Sequence, residues 1–354
     1  MASAINPRSY DQLNRPLGVL RLSLTARCNL ACPYCLPDGK EPAGLLTLKQ
    51  RLLVIEAAVA LGARSLRLTG GEPLLHKGLE ELITAVQPLR ATHPKRAGLG
   101  EIALTSNGLL LTAERAQQLR AAGLDRITLS LDGTTAESVA RMAGLADAAA
   151  GERALTAVLA AIEHARTAGF DPARGDLKLN AVIQRGANDE QVLPLAALAR
   201  ERGLELRLIE FMDVGSRNGW KAEAVLSAAE MLEQISSSWP LEPLGRATHS
   251  TASRWRYRDG GPGSLAVVAS VSAPFCGDCN RLRVTADGVA YTCLFAAPGS
   301  GLDLKPWLQE ESGAAELELA MATRWNQRSD RYSEERNTAE SVKVARAEMA
   351  YLGG

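Results

Sequence analysis

The 354-residue sequence is 46% hydrophobic and 23% charged, the balance of a globular chain with room for one large domain and a smaller one. Lys plus Arg and Asp plus Glu both number 40, so no global basic field exists to hold nucleic acid. An anionic ligand therefore needs locally placed cations. No run of roughly 18 apolar residues occurs, so no transmembrane helix is expected. The opening segment MASAINPRSYDQLNRPLG lacks the apolar core of a signal peptide, and its length and acidic residue argue against a transit peptide. A cytoplasmic protein is the expectation.

In chain order, six short segments alternate apolar and polar residues. VLRLSL puts Arg21 and Ser23 opposite Leu20, Leu22 and Leu24, and SLRLTG puts Ser65, Arg67 and Thr69 opposite Leu66 and Leu68. IALTSNG, RITLSLDG, LKLNAVIQ and LELRLIEFM repeat the pattern with Thr105, with Thr128 and Ser130, with Lys178 and Asn180, and with Glu205 and Arg207. Between them, LTLKQRLLVIEAAVALGA, KGLEELITAVQPLRA, LTAERAQQLRAAG, ERALTAVLAAIEHARTAG and DEQVLPLAALARERG show helical spacing. Strand–helix alternation implies a parallel sheet with right-handed crossovers. An open parallel sheet covered on both faces reads as nearly all apolar, but here one face stays polar. The expected α/β fold is a partial (β/α)6 TIM-like barrel whose polar face lines a cavity, with its site at the strand C-terminal ends. The rhythm fails after residue 230. Residues 1–230 are therefore assigned to the barrel and 231–354 to a smaller C-terminal domain of short strands, turns and acidic helices.

The six cysteines fall in two trios. Cys28, Cys32 and Cys35 form C-x3-C-x2-C after the first strand, and Cys276, Cys279 and Cys293 form C-x2-C-x13-C in the C-terminal region. Structural zinc sites close with four protein ligands, whereas three thiolates leave an iron–sulfur cluster with one iron free to bind a small molecule. Three disulfides are the alternative; the tight clustering and the missing secretion signal favour metal binding in a reducing compartment. His76, His93, His164 and His249 show no metal-ligand spacing. In the alternating RLR segment Arg281 and Arg283 project to one side next to Cys279. With Arg21, Arg67 and Lys178 they make five cations converging on one cavity, the pattern of a polyphosphate site. TGGEPLL, with Gly70, Gly71 and Glu72, follows the second strand, where glycines let the backbone approach a ligand closely.

LRLSLTARCNLACPYC followed one unit later by TGGEPLL resembles the radical S-adenosylmethionine superfamily. The resemblance implies a 4Fe–4S cluster on Cys28, Cys32 and Cys35, with S-adenosyl-L-methionine chelating the open iron and yielding a 5′-deoxyadenosyl radical. FCGDCNRLRVTADGVAYTCLF, RLIEFMDVGSRNGW and the final Gly353–Gly354 resemble, within it, the molybdenum cofactor biosynthesis protein A family of GTP 3′,8-cyclases, end to end. That family implies a lyase with a second 4Fe–4S cluster on Cys276, Cys279 and Cys293, whose open iron takes the guanine of GTP. It implies S-adenosylmethionine contacts at Tyr34, Gly71, Glu72, Ser130 and Met212. It implies GTP contacts at Arg21, Arg67, Thr105, Lys178, Arg281, Leu282 and Arg283. Arg281, Arg283, Gly353 and Gly354 join the catalytic set, the glycine tail inserting toward the arginines of the second cysteine segment. A pyranopterin-forming enzyme downstream and an electron donor are the implied partners; the resemblance also allows a homodimer. Two positions depart from the pattern: Ser65 stands where some members have lysine, and Ala26 where an acid is frequent. A peptide-modifying radical enzyme would carry more C-terminal cysteines, and a zinc scaffold a fourth ligand per site.

Overall fold

The computed structural model describes residues 9–37, 39–91, 98–309, 313–336 and 345–354. The six alternating segments form β1 (Val19–Ser23), β2 (Ser65–Thr69), β3 (Glu101–Ser106), β4 (Arg126–Ser130), β5 (Leu177–Ile183) and β6 (Glu205–Glu210). They lie side by side in that order, all parallel. Leu20, Leu22, Leu66, Leu68, Ile127, Leu129, Leu179, Leu206 and Leu208 are buried in one core with the helices that follow the strands. These helices are α1 (Leu48–Ala60), α2 (Leu79–Val86), α3 (Ala113–Ala122), α4 (Ala136–Ala143), α5 (Ala148–Thr167) and α6 (Val192–Glu201). The period-2 pattern thus sends leucines outward to the helices and leaves the polar side chains facing inward. Arg21 on β1 and Arg207 on β6 line one cavity, which a flat sheet of six strands could not bring about.

α4 was not legible in the sequence, and α5 begins at Ala148 rather than at Glu152. The Ala-Ala-Ala-Gly stretch reads as a break, but the Asp147 side chain caps it by accepting from the Ala150 amide at 2.7 Å. Among the described residues no helix is long and apolar enough to cross a membrane.

The C-terminal region adds α7 (Ala228–Ser236), β7 (Leu241–Gly245), β8 (Ser253–Tyr257), β9 (Ser264–Val268), β10 (Arg281–Val284), β11 (Val289–Tyr291), β12 (Leu302–Asp303), α8 (Ala314–Asn326), α9 (Tyr332–Glu335) and α10 (Met349–Leu352). Its strands do not build a sheet of their own. They extend the barrel sheet at both edges, giving the order β12-β11-β10-β1-β2-β3-β4-β5-β6-β9-β8-β7. β9 runs parallel to β6 and β10 parallel to β1. The reason lies in the edges: six open strands leave unpaired N–H and C=O groups on β1 and β6, and both are satisfied by strands from after residue 260. Trp325 of α8, fully buried, ties the same region to the strap before β1 through a bond from Nε1 to the Arg15 carbonyl at 3.1 Å.

A chain cut after Ser237 would bare both edges. It is expected to aggregate on refolding at micromolar concentration, whereas a soluble fragment with one cooperative urea transition would show that residues 1–230 fold independently.

Candidate active site

The smaller cavity, about 160 Å³, opens beyond the C-terminal ends of β1 to β4 and is lined by Cys28, Cys32, Cys35, Tyr34, Gly71, Glu72 and Ser130. All three thiols resist ionisation. Burial raises Cys28 and Cys32 and pushes Cys35 up to about 12, and on Cys32 and Cys35 the other thiols of the trio add to the effect. A cationic metal centre would remove that penalty, and three thiols on one cavity wall fit the donor set of a 4Fe–4S cluster with an open iron. No trio of His, Cys, Asp or Glu among the described residues is spaced for a single metal ion.

The glycines of TGGEP line this cavity and also pack against the cysteine loop. The Gly71 amide donates to the Thr25 carbonyl at 2.8 Å and the Glu72 amide to the Arg27 carbonyl at 2.8 Å. A Cβ on Gly71 would lie 2.2 Å from that Arg27 oxygen, so the glycine is needed for contact with the cysteine loop itself. Glu72 is buried, which raises its carboxyl, and it accepts from Ser106 Oγ at 2.8 Å and from the amides of Asn107 and Leu74 at 2.8 and 2.9 Å. Its oxygens tie the end of β2 to the end of β3. Tyr34 donates from its hydroxyl to Asp132 Oδ2 at 2.6 Å, while Asp132 Oδ1 accepts from the Val182 amide at 2.7 Å. Burial holds the Asp132 carboxyl up at about 6.

The larger cavity, about 410 Å³, lies inside the curved sheet. Cys276, Cys279 and Cys293 line it together with Arg21, Arg67, Thr105, Lys178, Arg281 and Arg283, so the structure brings every expected cation to the same space. Burial and mutual repulsion depress these guanidinium groups. Arg21 falls well below its ordinary value through burial and then Arg283 and Arg67; Arg67 drops to about 9 through burial and Arg126; Arg283 drops to about 10 through burial and Arg281. Lys178 is tightly paired, its Nζ standing 2.8 Å from Glu205 Oε1. Leu282 turns to the core, with 1% exposure, so its side chain is outside the cavity. Met212 lines this larger cavity and not the one holding Cys28.

At the second trio, Arg281 Nη2 lies 3.0 Å from Cys279 Sγ. Burial opposes ionisation there, but Arg281 and Arg328 overcome it and hold the Cys279 thiol down to about 6. Cys293, half-buried and facing Asp330, is pushed up to about 12 by desolvation and that carboxylate. Arg15 and Arg328 donate to the carbonyls of Cys276 and Cys279 at 2.8 and 2.6 Å, fixing the loop that carries both. His249 also lines this cavity, its Nδ1 2.8 Å from the Asp278 carbonyl, although spacing gave no sign of it. His76 and His164 bond to Arg51 and to the Leu111 carbonyl, and His93 lies outside the described residues.

The glycine tail reaches the site but meets a different arginine. Arg21 Nη2 donates to the carbonyls of Gly353 at 2.9 Å and Gly354 at 2.6 Å, whereas the approach expected was to Arg281 and Arg283. Gly353 has φ of 66°, and a Cβ there would lie 2.4 Å from Thr69 Oγ1. Gly354 lines both cavities, as does Thr105.

Comparison with known proteins fits this geometry. Residues 22–199 match the Radical SAM superfamily and residues 204–334 match Molybdenum Cofactor Synthesis C. The chain is 62% identical over 346 residues to the GTP 3′,8-cyclase of Synechococcus sp. (strain CC9605), covering 97% of this chain and 98% of that protein. It is 44% identical to the GTP 3′,8-cyclase of Acidothermus cellulolyticus (strain ATCC 43068 / DSM 8971 / 11B), covering 97% and 98%. The chain belongs to the GTP 3′,8-cyclase family. Among solved structures it resembles Streptococcus suis SuiB bound to S-adenosylmethionine, with TM-score 0.62, 13% identity and coverage of 97% of this chain and 74% of that one. Native anSMEcpe with bound AdoMet gives TM-score 0.56 at 16% identity, covering 92% and 83%. Both likenesses speak for the fold alone.

Membership of the GTP 3′,8-cyclase family brings with it a 4Fe–4S cluster and S-adenosylmethionine. Sequence reasoning missed Arg126, Arg254 and Arg328 of the larger cavity, and it placed Arg207 on the polar face without giving it a contact. Arg126 could have been found, since it lies two residues before Thr128 on the same strand and so shares its face. Arg254 could not, because it arrives from β8. In cluster-free protein at pH 7, above the Cys279 value of about 6 and far below the Cys35 and Cys293 values of about 12, only Cys279 of these three is a thiolate. Iodoacetamide labelling followed by peptide mass spectrometry is expected to modify Cys279 first, and R281A to slow that reaction.

Proposed function

We propose that this chain converts GTP to (8S)-3′,8-cyclo-7,8-dihydroguanosine 5′-triphosphate, the first step of molybdenum cofactor biosynthesis. One observation carries the reading: a thiol-lined cavity and a thiol-and-arginine-lined cavity meet at Thr105 and Gly354. Two reactants held in such adjoining spaces gain the proximity that a bimolecular hydrogen transfer otherwise lacks.

Cys28, Cys32 and Cys35 would hold the first cluster, with Tyr34, Gly71, Glu72 and Ser130 around S-adenosylmethionine. When bound, the cluster and S-adenosylmethionine supply hydrogen-abstracting radical chemistry. Glu72 works by bracing, since its oxygens are already bonded to Ser106, Asn107 and Leu74. Met212, from the larger cavity, would meet S-adenosylmethionine only where the two spaces join. Cys276, Cys279 and Cys293 would hold a second 4Fe–4S cluster at the guanine end of GTP. Arg21, Arg67 and Arg283 bind its phosphates and Arg281, beside Cys279, meets its base end, a polyanion relieving the repulsion that depresses Arg21, Arg67 and Arg283. Thr105 sits between the two reactants, Lys178 acts through its pair with Glu205, and Leu282 contributes backbone only. Residues 1–230 serve the cleavage of S-adenosylmethionine and residues 231–354 the substrate cluster. The setting is cytoplasmic, with electrons from a separate donor and the product passing to a pyranopterin-forming enzyme.

Anaerobic protein with roughly eight irons per chain is expected to form the cyclised triphosphate from GTP, S-adenosylmethionine and a reductant, identified by mass spectrometry. Absence of that product from fully loaded protein overturns the assignment. C28S is expected to abolish 5′-deoxyadenosine, while C276S keeps the first cluster and loses GTP turnover.

Removing Gly353 and Gly354 takes two acceptors from Arg21 and opens the junction of the cavities. Cyclisation is expected to fall about a hundredfold with both clusters intact, as for a misplaced reactant. Full activity in the shortened protein would make the tail a mere end.

A further inference from the structure

Four arginines stand in one cross-strand row. β10 pairs Arg283 with Arg21, β1 pairs Arg21 with Arg67, β2 pairs Arg67 with Ala103, and β3 pairs Ala103 with Arg126. All four arginines line the larger cavity. Neighbouring strands lie about 4.8 Å apart, so the row runs about 19 Å along the curved sheet from β10 to β4. Ala103 supplies only a methyl group, which leaves room between Arg67 and Arg126.

Arg126 is under-used by its surroundings. It is buried, its Nη2 bonds to Glu101 Oε2 at 3.0 Å, and its Nε has no partner. Glu101 is itself shared, accepting from Ser65 Oγ at 2.9 Å and lying 3.8 Å from Arg67 Nη2. One carboxylate thus faces two guanidinium groups and a hydroxyl. Burying a guanidinium without a full complement of acceptors is costly, and an anion entering the cavity recovers that cost. Beyond Arg126 on the sheet comes Lys178, already paired with Glu205.

We propose that Arg126 binds the terminal phosphate of the nucleoside triphosphate and, with Arg67, sets the preference for triphosphate over diphosphate. The inference rests on the reading of this cavity as the GTP site. The second cysteine trio and Arg281 stand at the β10 end, where the base belongs. The phosphate chain then runs along the row, and Arg126 is the last arginine of the row, with Arg207 two strands further on.

The test is isothermal titration of GTP, GDP and GMP into anaerobic, cluster-loaded wild type, R126Q and R126K, with cluster absorbance checking the fold. R126Q is expected to weaken GTP about tenfold or more, the loss of one charge-assisted bond, and to change GDP and GMP within about twofold. R126K should recover part of the loss, as a point charge replacing a fork. Unchanged GTP binding, or equal losses for all three nucleotides, overturns the role of Arg126. Wild type that binds none of the three overturns the GTP reading instead. Should R126Q fail to fold, R126K carries the same comparison: a GTP-over-GDP preference equal to that of wild type overturns the proposal.

Discussion

The parallel pairing of β10 with β1 is the constraint on which the rest of the site depends. β1 leads out of its C-terminal end into the loop of Cys28, Cys32 and Cys35, and β10 is entered directly from Cys279. Because the two strands run the same way, the cysteine groups lie at opposite ends of the pair. The five residues of β1 set their separation, about 16 Å of strand length. A nucleotide and an S-adenosylmethionine molecule placed end to end span a gap of that order. The same pairing puts Arg283 beside Arg21, so one register decides both how far apart the thiols stand and where the cations begin.

Electrostatics explains why such a cavity exists in a chain with equal numbers of acids and bases. The carboxylates are spent on local pairs, such as Glu205 with Lys178 and Arg254, and Glu101 with Arg126. Like charges in a low-dielectric pocket repel strongly, and Arg21, Arg67 and Arg283 show this in values depressed from the usual guanidinium range. The fold bears that cost because the strands carrying these side chains are held from behind by a continuous leucine core. The stored repulsion becomes affinity when a polyanion enters.

Much of this is legible in the sequence alone. The leucine parity of VLRLSL and SLRLTG placed Arg21 and Arg67 inward, and both strands formed as read. The two cysteine spacings separate two thiol groups, and each trio lines a cavity of its own. What could not be read is what depends on long-range pairing. Nothing local in SLAVV or RLRV says that they extend opposite edges of one sheet, since either could pair with any free edge. The glycines of TGGEP were legible as a close approach but not as an approach to Arg27. Leu282 was assigned with its arginine neighbours although its own parity sends it to the core.

Ser65 shows how a departure from a family pattern is absorbed. Some members carry a lysine there, whose ammonium would stand beside Glu101 and compete for it. A serine instead gives Glu101 a neutral hydroxyl at 2.9 Å and leaves its charge to the arginines. Arg126 holds it at 3.0 Å and Arg67 stays at 3.8 Å. Arg67 is thus the looser partner and the freer to turn toward a phosphate, while Arg126 is anchored at one nitrogen and can offer the others. Arg67 and Arg126 face the same carboxylate from either side of β3, so in this chain the charge of Glu101 is met by guanidinium groups and not by the residue at position 65.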